Sequence, residues 1–295
     1  MLKIAIIGSN SFLATFLISK LRKIADYSLT LFGNKRTFDN EFFEFRLPNR
    51  PIKKDRLLEF DTIIYTASAG VQSSKSYSPD LIYGVNTFEP IAIINFLKIN
   101  GYRGKFISFG SYFEIGSTND ELVFQEEDIV KAIYPVPNDY CISKRILTRF
   151  IHSQSLNFTL YHLILSTIYG SGEDQKRLIP YLITSIKDKT PIALSSGEQI
   201  RNYIFVDDVV ELILDILNDK SLASGVFNVC GDQHFSIKEI ATKVIAFFNS
   251  NVVAEFGTVS RQDQSMKMLC VSNKKVKSTF NWRPKISIEE GISKY

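Results

Sequence analysis

Cysteine and histidine are scarce in this chain. Three cysteines (Cys141, Cys230, Cys270) and three histidines (His152, His162, His234) are spread through 295 residues, with no CxxC pair and no cluster. That argues against a disulfide framework or a structural zinc site and predicts no bound metal. An excess of one charge is also lacking: 35 Lys and Arg against 31 Asp and Glu leave a net +4, too little for a general nucleic-acid coat. No apolar run approaches the roughly 18 residues of a membrane span. The short run Ile4–Ile7 leads into a glycine turn, not a secretory cleavage site. With 45% hydrophobic and 22% charged residues, the composition is globular and excludes disorder or a coiled coil. The expectation is a reduced, cytoplasmic protein that engages neither nucleic acid nor membrane.

What is present is strand–helix alternation. Leu2–Ile7, Ser28–Phe32, Asp61–Thr66, Lys105–Phe109 and Phe158–Leu163 read as buried strands. Between them, Ser11–Ile24, Asp80–Asn100 and Asp139–Gln154 carry helical spacing. Such alternation predicts a doubly wound parallel sheet with helices on both faces, an α/β Rossmann-like fold. We expect residues 1–165 to form the nucleotide-binding domain, with 202–224 returning to it. Residues 166–295 form a smaller α/β substrate-binding lid. There, Arg177–Lys187, Val209–Asn218 and Ser236–Asn249 read as helices, the last capped by Ser236. Asn202–Val206, Val252–Phe256 and Lys267–Val271 read as strands.

The segment KIAIIGSNSFLATFL runs strand, turn, helix. In that context the turn presents a helix N-terminus to a pyrophosphate. Gly8 holds the first glycine position, Ser11 stands where a second glycine is usual, and Ala14 fills the third, where alanine is accepted. Ser11 adds a hydroxyl where the backbone should approach phosphate. Phe12, Leu13 and, from the next strand end but one, Thr66, Ala67 and Ser68 complete the expected cofactor cradle. After the strand LTLF stand Gly33, Asn34, Lys35 and Arg36. A site for NAD usually carries an acid here for the ribose 2′-hydroxyl. Two cations suit a 2′-phosphate instead, so NADP(H) is favoured over NAD(H). The window Lys20–Arg56 holds ten basic and five acidic residues, so the chain's positive excess concentrates around this loop.

Tyr140 and Lys144 lie four apart on a predicted helix and share a face. A nearby cation lowers a phenol's pKa, and the ammonium can also hold a cofactor ribose. Ser111 lies just past the C-terminal end of the strand KFISF, where open α/β sheets bind ligands. Ser111, Tyr140 and Lys144 are therefore predicted to converge on one carbonyl oxygen. His162 in FTLYHLIL is expected to be structural, Cys141 a small buried hydrophobe, and Asp207 with Asp208 the acidic start of a helix.

With GSNSFLA, DTIIYTAS, Val85-Asn86-Thr87, FISFGS, YCISK, STIYGSG, GEQIRNYIFVDDVV and NWRP in hand, the chain resembles the extended short-chain dehydrogenase/reductases, the nucleotide-sugar epimerases, dehydratases and 4-keto reductases. The resemblance spans essentially the whole length. It implies catalytic roles for Ser111, Tyr140 and Lys144, diphosphate contacts from Arg201 and Arg261, and further substrate contacts from Asn86, Tyr112 and Ser166. It also implies a homodimer built on helices like Asp80–Asn100 and Asp139–Gln154. Family 4,6-dehydratases carry Asp-Glu after the catalytic threonine, whereas this chain has Tyr112 and Phe113. Within the family it is most similar to reductases that make 6-deoxyhexoses. The implied reaction is NADPH-dependent reduction of the C4 ketone of a dTDP-, CDP- or GDP-linked 4-keto-6-deoxyhexose. A 4-epimerase with tightly bound NAD, and a non-catalytic NADP(H)-binding regulator on the same fold, stand as alternatives.

Overall fold

A computed structural model describes the chain except for residues 71–75, 119, 221–222 and 261–265. Strand β1 (Leu2–Ile7) is flanked by β2 (Tyr27–Gly33) and β4 (Thr62–Tyr65). Outside β2 lies β3 (Glu41–Glu44). On the other side follow β5 (Lys105–Ser111), β7 (Thr159–Leu165) and β11 (Gly225–Val229). All six pairings are parallel. The order β11-β7-β5-β4-β1-β2-β3 reverses direction at β1, which makes the carboxyl end of β1 the switch point where such sheets bind ligands.

Both faces are covered, as continuous apolar strands require. Ile4 and Ile6 pack into one core with Leu13, Leu17 and Ile213, under α1 (Phe12–Leu21) and α7 (Val206–Asn218). Ala5 and Ile7 point the other way, into a core with Ile93, Ile94 and Leu147. That face carries the helical run 79–99, made of α2 (Pro79–Tyr83), one π turn (Gly84–Phe88) and α3 (Glu89–Ile99), and, beyond β5, α5 (Asp139–His152). The expected single helix Asp80–Asn100 thus contains a π turn at Val85-Asn86-Thr87, the kind of interruption that often marks functional sites.

Outside the main sheet the strands are short. Strands β6 (Val123–Phe124), β8 (Thr167–Tyr169), β10 (Ile200–Phe205), β12 (His234–Ser236) and β14 (Met268–Val271) form a second sheet around β10. A separate pair joins β9 (Ile192–Leu194) to β13 (Ala254–Phe256). The return to the main sheet is made by α7, which packs on α1, and by β11 at 225–229, while β10 belongs to the second sheet. Of the expected segment 202–224, α7 lies against the main domain, and the strand that joins its sheet follows directly. Ser236 caps α8 (Ile237–Phe247) through a reciprocal bond pair with Glu239. The carboxylate of Asp208 accepts the amides of Lys285 and Ile286, and its carbonyl accepts the Trp282 indole. The NWRP segment is pinned to the start of α7 in this way.

Candidate active site

The glycine turn at the end of β1 is closed tightly. Gly8 adopts φ +91°, and a Cβ there would sit 2.3 Å from the amide nitrogen of Ala67. Only glycine permits that approach. Thr66 follows β4 and donates its hydroxyl to the carbonyls of Ile7 and Gly8, at 2.9 and 3.0 Å. Ser11 is the N-cap of α1, its Oγ accepting from Ala14 at 3.2 Å. Its own hydroxyl hydrogen, and the first-turn amides of Phe12 and Leu13, have no partner within the helix. These donors and the helix dipole suit a pyrophosphate, so the residues present fit a dinucleotide.

Asn10 adds a feature that the turn pattern does not signal. Its Oδ1 accepts the amides of Asn34 and Lys35, at 2.9 and 3.1 Å, and its Nδ2 donates to the Lys35 carbonyl at 2.8 Å. The basic loop after β2 is thereby locked to the phosphate turn, with Asn34, Lys35 and Arg36 exposed. The Arg36 guanidinium stands 5.8 Å from the Phe42 ring centroid. Gly33 lies so close beneath the turn that a Cβ there would meet Oγ of Ser9 at 2.3 Å and Oδ1 of Asn10 at 2.5 Å. The Ser9 hydroxyl is itself buried without a protein partner.

At the end of β5 the structure brings Ser111, Tyr140 and Lys144 together. Tyr140, on the first turn of α5, shares a hydrogen bond with Ser111. Lys144 lies one turn on, buried, with Nζ donating to the Phe109 carbonyl at 2.9 Å and standing 5.9 Å from the Tyr140 ring centroid. Burial pushes the Tyr140 phenol well above its ordinary pKa, opposed first by the Ser111 bond and more weakly by Arg177. Burial pulls the Lys144 ammonium down, and the carboxylate of Glu114 opposes it. A phenol held protonated has a proton to give to an oxygen on which charge develops.

Asn86 is drawn into the framework. Its Oδ1 accepts from the Ala69 amide at 2.9 Å and from Ser68 at 3.2 Å. Its Nδ2 donates to the Ala69 carbonyl at 2.8 Å and to Ser143 at 2.9 Å. Every hydrogen-bonding group of this fully buried amide is committed, which leaves nothing for a substrate. With Thr87 donating to the Ser143 carbonyl at 2.7 Å, the π turn clamps α5 against the end of β4. Tyr112 also departs from expectation. Its ring is buried edge-on to Phe113, and its hydroxyl lies 2.5 Å from Thr167 Oγ1, because the apolar cluster around Ile115 and Leu269 takes the ring. Ser166, at the turn from β7 to β8, is buried with its hydroxyl unpartnered by protein. Arg201 is 2% exposed, with Nη1 donating to the carbonyls of Ile200 and Met266, each at 2.8 Å. Arg261 lies outside the described residues.

Further groups near the centre carry weaker sequence signals. Glu114, in the turn Tyr112–Ile115, is a charge inside an otherwise apolar stretch and is fully buried. Thr148 on α5 contacts it, and His162 contacts Thr148. Arg177, preceding α6 (Leu178–Lys187), bonds Glu173 at 2.8 Å. Glu173 in turn accepts from the Tyr295 hydroxyl, and that hydroxyl accepts the Gly170 amide at 3.0 Å. The three cysteines are free and buried, and among the described residues no metal-holding cluster occurs and no helix is long and apolar enough to cross a membrane. Two clefts of about 530 and 660 Å³ open at the opposite, amino-terminal strand ends, near Lys105 and Ser224.

Comparison with known proteins agrees with this geometry. CDP-abequose synthase of Salmonella typhimurium is 29% identical over 160 residues, 52% of this chain and 53% of that protein. The chain spans about half the length of the curated relatives it matches first. Among solved structures, UDP-glucuronic acid 4-epimerase from Bacillus cereus, in complex with UDP-glucuronic acid and NAD, superposes with a TM-score of 0.82 at 17% identity, covering 99% of this chain and 97% of that one. RMD from Pseudomonas aeruginosa, complexed with NADPH, gives 0.76 at 16% identity, covering 100% and 97%. The family model for the NAD dependent epimerase/dehydratase family matches residues 4–230. That span carries the Gly8 turn, the Ser111–Tyr140–Lys144 constellation and the strand return at β11, and the chain belongs to this family.

Proposed function

We propose that the chain reduces the C4 ketone of a nucleotide-linked 4-keto-6-deoxyhexose, with NADPH as reductant, in deoxysugar biosynthesis. The observation that carries this reading is the pair Tyr112 and Phe113 beside a complete Ser111–Tyr140–Lys144 group. An aromatic pair, one member of it buried, stands where a dehydratase would keep its acid and base, so proton donation to a ketone has its machinery while water removal lacks it. The likeness to CDP-abequose synthase supports the same reading.

When bound, the reduced nicotinamide supplies hydride to C4. Tyr140 then gives its proton to the oxygen on which charge develops. Ser111, already bonded to Tyr140, orients the ketone. Lys144 provides the cation that stabilises the phenolate left behind, and it holds the cofactor ribose. Arg201 and Arg261 take the diphosphate, which supplies remote binding energy for orientation. Preference for NADPH is supported at Gly33. The position has no room for an acid, while Lys35 and Arg36 extend from a loop that Asn10 holds against the phosphate turn. A homodimer through α3 and α5 is part of the proposal, supported by exposed Phe88, at the end of the π turn before α3, and exposed Ile142 and Ile146 on α5. The buried free thiols accord with a reduced cytoplasmic setting.

The test is to mix the protein with NADPH and a dehydratase-generated 4-keto sugar nucleotide and follow nicotinamide absorbance. Stoichiometric oxidation with loss of the ketone is expected. Sugar isomerisation without oxidation, or no reaction with any of the dTDP-, CDP- and GDP-linked ketones, would overturn the reading.

A further inference from the structure

Beneath the Ser111–Tyr140–Lys144 group lies a second constellation that none of the proposed steps uses. Glu114 is fully buried. Its Oε1 accepts the Ser111 amide at 2.6 Å and its Oε2 accepts the Thr148 hydroxyl at 2.5 Å. Thr148 Oγ1 also lies 2.9 Å from His162 Nε2, and His162 Nδ1 lies 2.8 Å from Ser108 Oγ. With Nε2 protonated, every group is satisfied: Ser108 donates to His162, His162 to Thr148, and Thr148 to the carboxylate. The space for this chain is made by Gly110. A Cβ there would stand 2.7 Å from Glu114 Oε1 and 2.8 Å from His162 Nε2.

A carboxylate without water around it is costly unless a positive charge is near. Two cations are within its field, Lys144 and Arg145. Arg145 spends its donors on backbone: Nε on the Glu114 carbonyl at 2.7 Å, and Nη2 on the carbonyls of Ile115 and Tyr134, each at 2.9 Å. Lys144 has a single protein acceptor, the Phe109 carbonyl. Around this pair, Tyr140 and His162 face Lys144, Cys141 and Arg145 face Glu114, and Arg177 lies beyond Tyr140. His162 is held neutral by burial. Burial pushes the Glu114 carboxyl up toward neutrality, opposed by the bonds from Thr148 and Ser111 and by the two cations; it is the one group of this set that can carry a negative charge where the lysine titrates.

We propose that Glu114 is the buried counter-charge of Lys144: it keeps the lysine ionised beneath Tyr140 and, through the Ser111 amide, fixes the serine that faces the same phenol. It is a positioning residue, since it reaches the reacting atoms only through these two. The inference rests on the roles of Lys144 and Ser111 proposed above, but its test is independent of turnover. Protein labelled with ¹³C-lysine is titrated by NMR, with the Lys144 resonance assigned by its absence in Lys144→Met. In Glu114→Gln, which keeps the acceptor for the Ser111 amide and removes the charge, the Lys144 midpoint should fall by about one pH unit or more, the usual reach of an opposite charge at a buried site. A midpoint unchanged or raised in the folded variant overturns the proposal. Should Glu114→Gln fail to fold, Thr148→Val serves: loss of its hydrogen bond favours the protonated acid, so the Lys144 midpoint should again fall, and constancy overturns the proposal. Inactivity toward every ketone with a normal Glu114-dependent shift would refute the proposed reaction and leave the charge pairing intact.

Discussion

Gly33 and Ser9 are in mutual contact across the phosphate turn, so close that a Cβ on Gly33 would sit 2.3 Å from the serine oxygen. The absence of an acid at this strand end is therefore built into the packing. Gly33→Asp should not convert the site to NAD. It should instead destabilise the protein by about 1–3 kcal/mol, the usual cost of overpacking, visible as a lower Tm. A variant with native Tm and tightened NADH binding would contradict this account.

Lys35 and Arg36 test the cofactor assignment directly. Replacing both by alanine should weaken NADPH binding at least roughly 10–100-fold, the worth of one hydrogen bond to a charged group, and leave NADH binding within a few-fold. Fluorescence titration with each cofactor measures the difference. Equal losses would show that the loop does not meet a 2′-phosphate.

Tyr140→Phe removes one oxygen from a side chain that is otherwise packed by its neighbours. Turnover should drop by about 10²–10⁴-fold with cofactor affinity retained. Turnover near the native value would remove Tyr140 from the proton-transfer step.

Asn86 separates a framework role from a substrate role. Asn86→Ala leaves the Ala69 amide and carbonyl unpaired in the interior, at about 1–3 kcal/mol for each group. The expected signature is a large fall in Tm, with the KM of surviving enzyme for the sugar nucleotide little changed. A raised KM at native Tm would return Asn86 to the substrate list.

His162 predicts a pH effect on stability. Burial pushes its pKa down from 6.5 to about 3. Between those values the unfolded chain binds a proton that the folded chain does not, so this residue costs stability as pH falls, by roughly 1.4 kcal/mol per unit. His162→Gln lacks that penalty. Whatever its stability deficit at pH 7, its gap to the native protein should narrow between pH 6.5 and 5 in denaturant melts. A constant gap would mean that the imidazole is charged in the fold.

Strands β1, β2, β4, β5 and β7 and helices α1, α5 and α7 were legible because their signals are local. Apolar runs of strand length, helical spacing and end residues such as Ser11 and Ser236 sit within a few positions of one another. Ser111, Tyr140 and Lys144 were legible for the same reason, each lying at a predictable place relative to one strand or one helix face. Contacts that join distant segments were not. Asn86 carries the same residue type whether it faces a sugar or the Ala69 backbone. Tyr112 next to Phe113 does not announce which of the two is drawn into the core. The short strands β3, β8 and β12 lack a period long enough to register, and their existence depends on the partner they pair with. Glu114 was visible as a charge in an apolar stretch, but its meaning depends on Thr148 and His162, which arrive from elsewhere in the chain.

The Tyr295–Glu173–Arg177 chain has a consequence for engineering. Arg177 contributes positive potential at Tyr140, and its ion-pair partner is held from residue 295, while Trp282 and the segment after it are anchored on Asp208. Grafting residues 4–230, the span of the family match, onto a relative's remaining segment would separate both pairs from their partners. A chimera intended to exchange substrate preference should carry Asp208 with Trp282, and Glu173 with Tyr295, as inseparable cassettes.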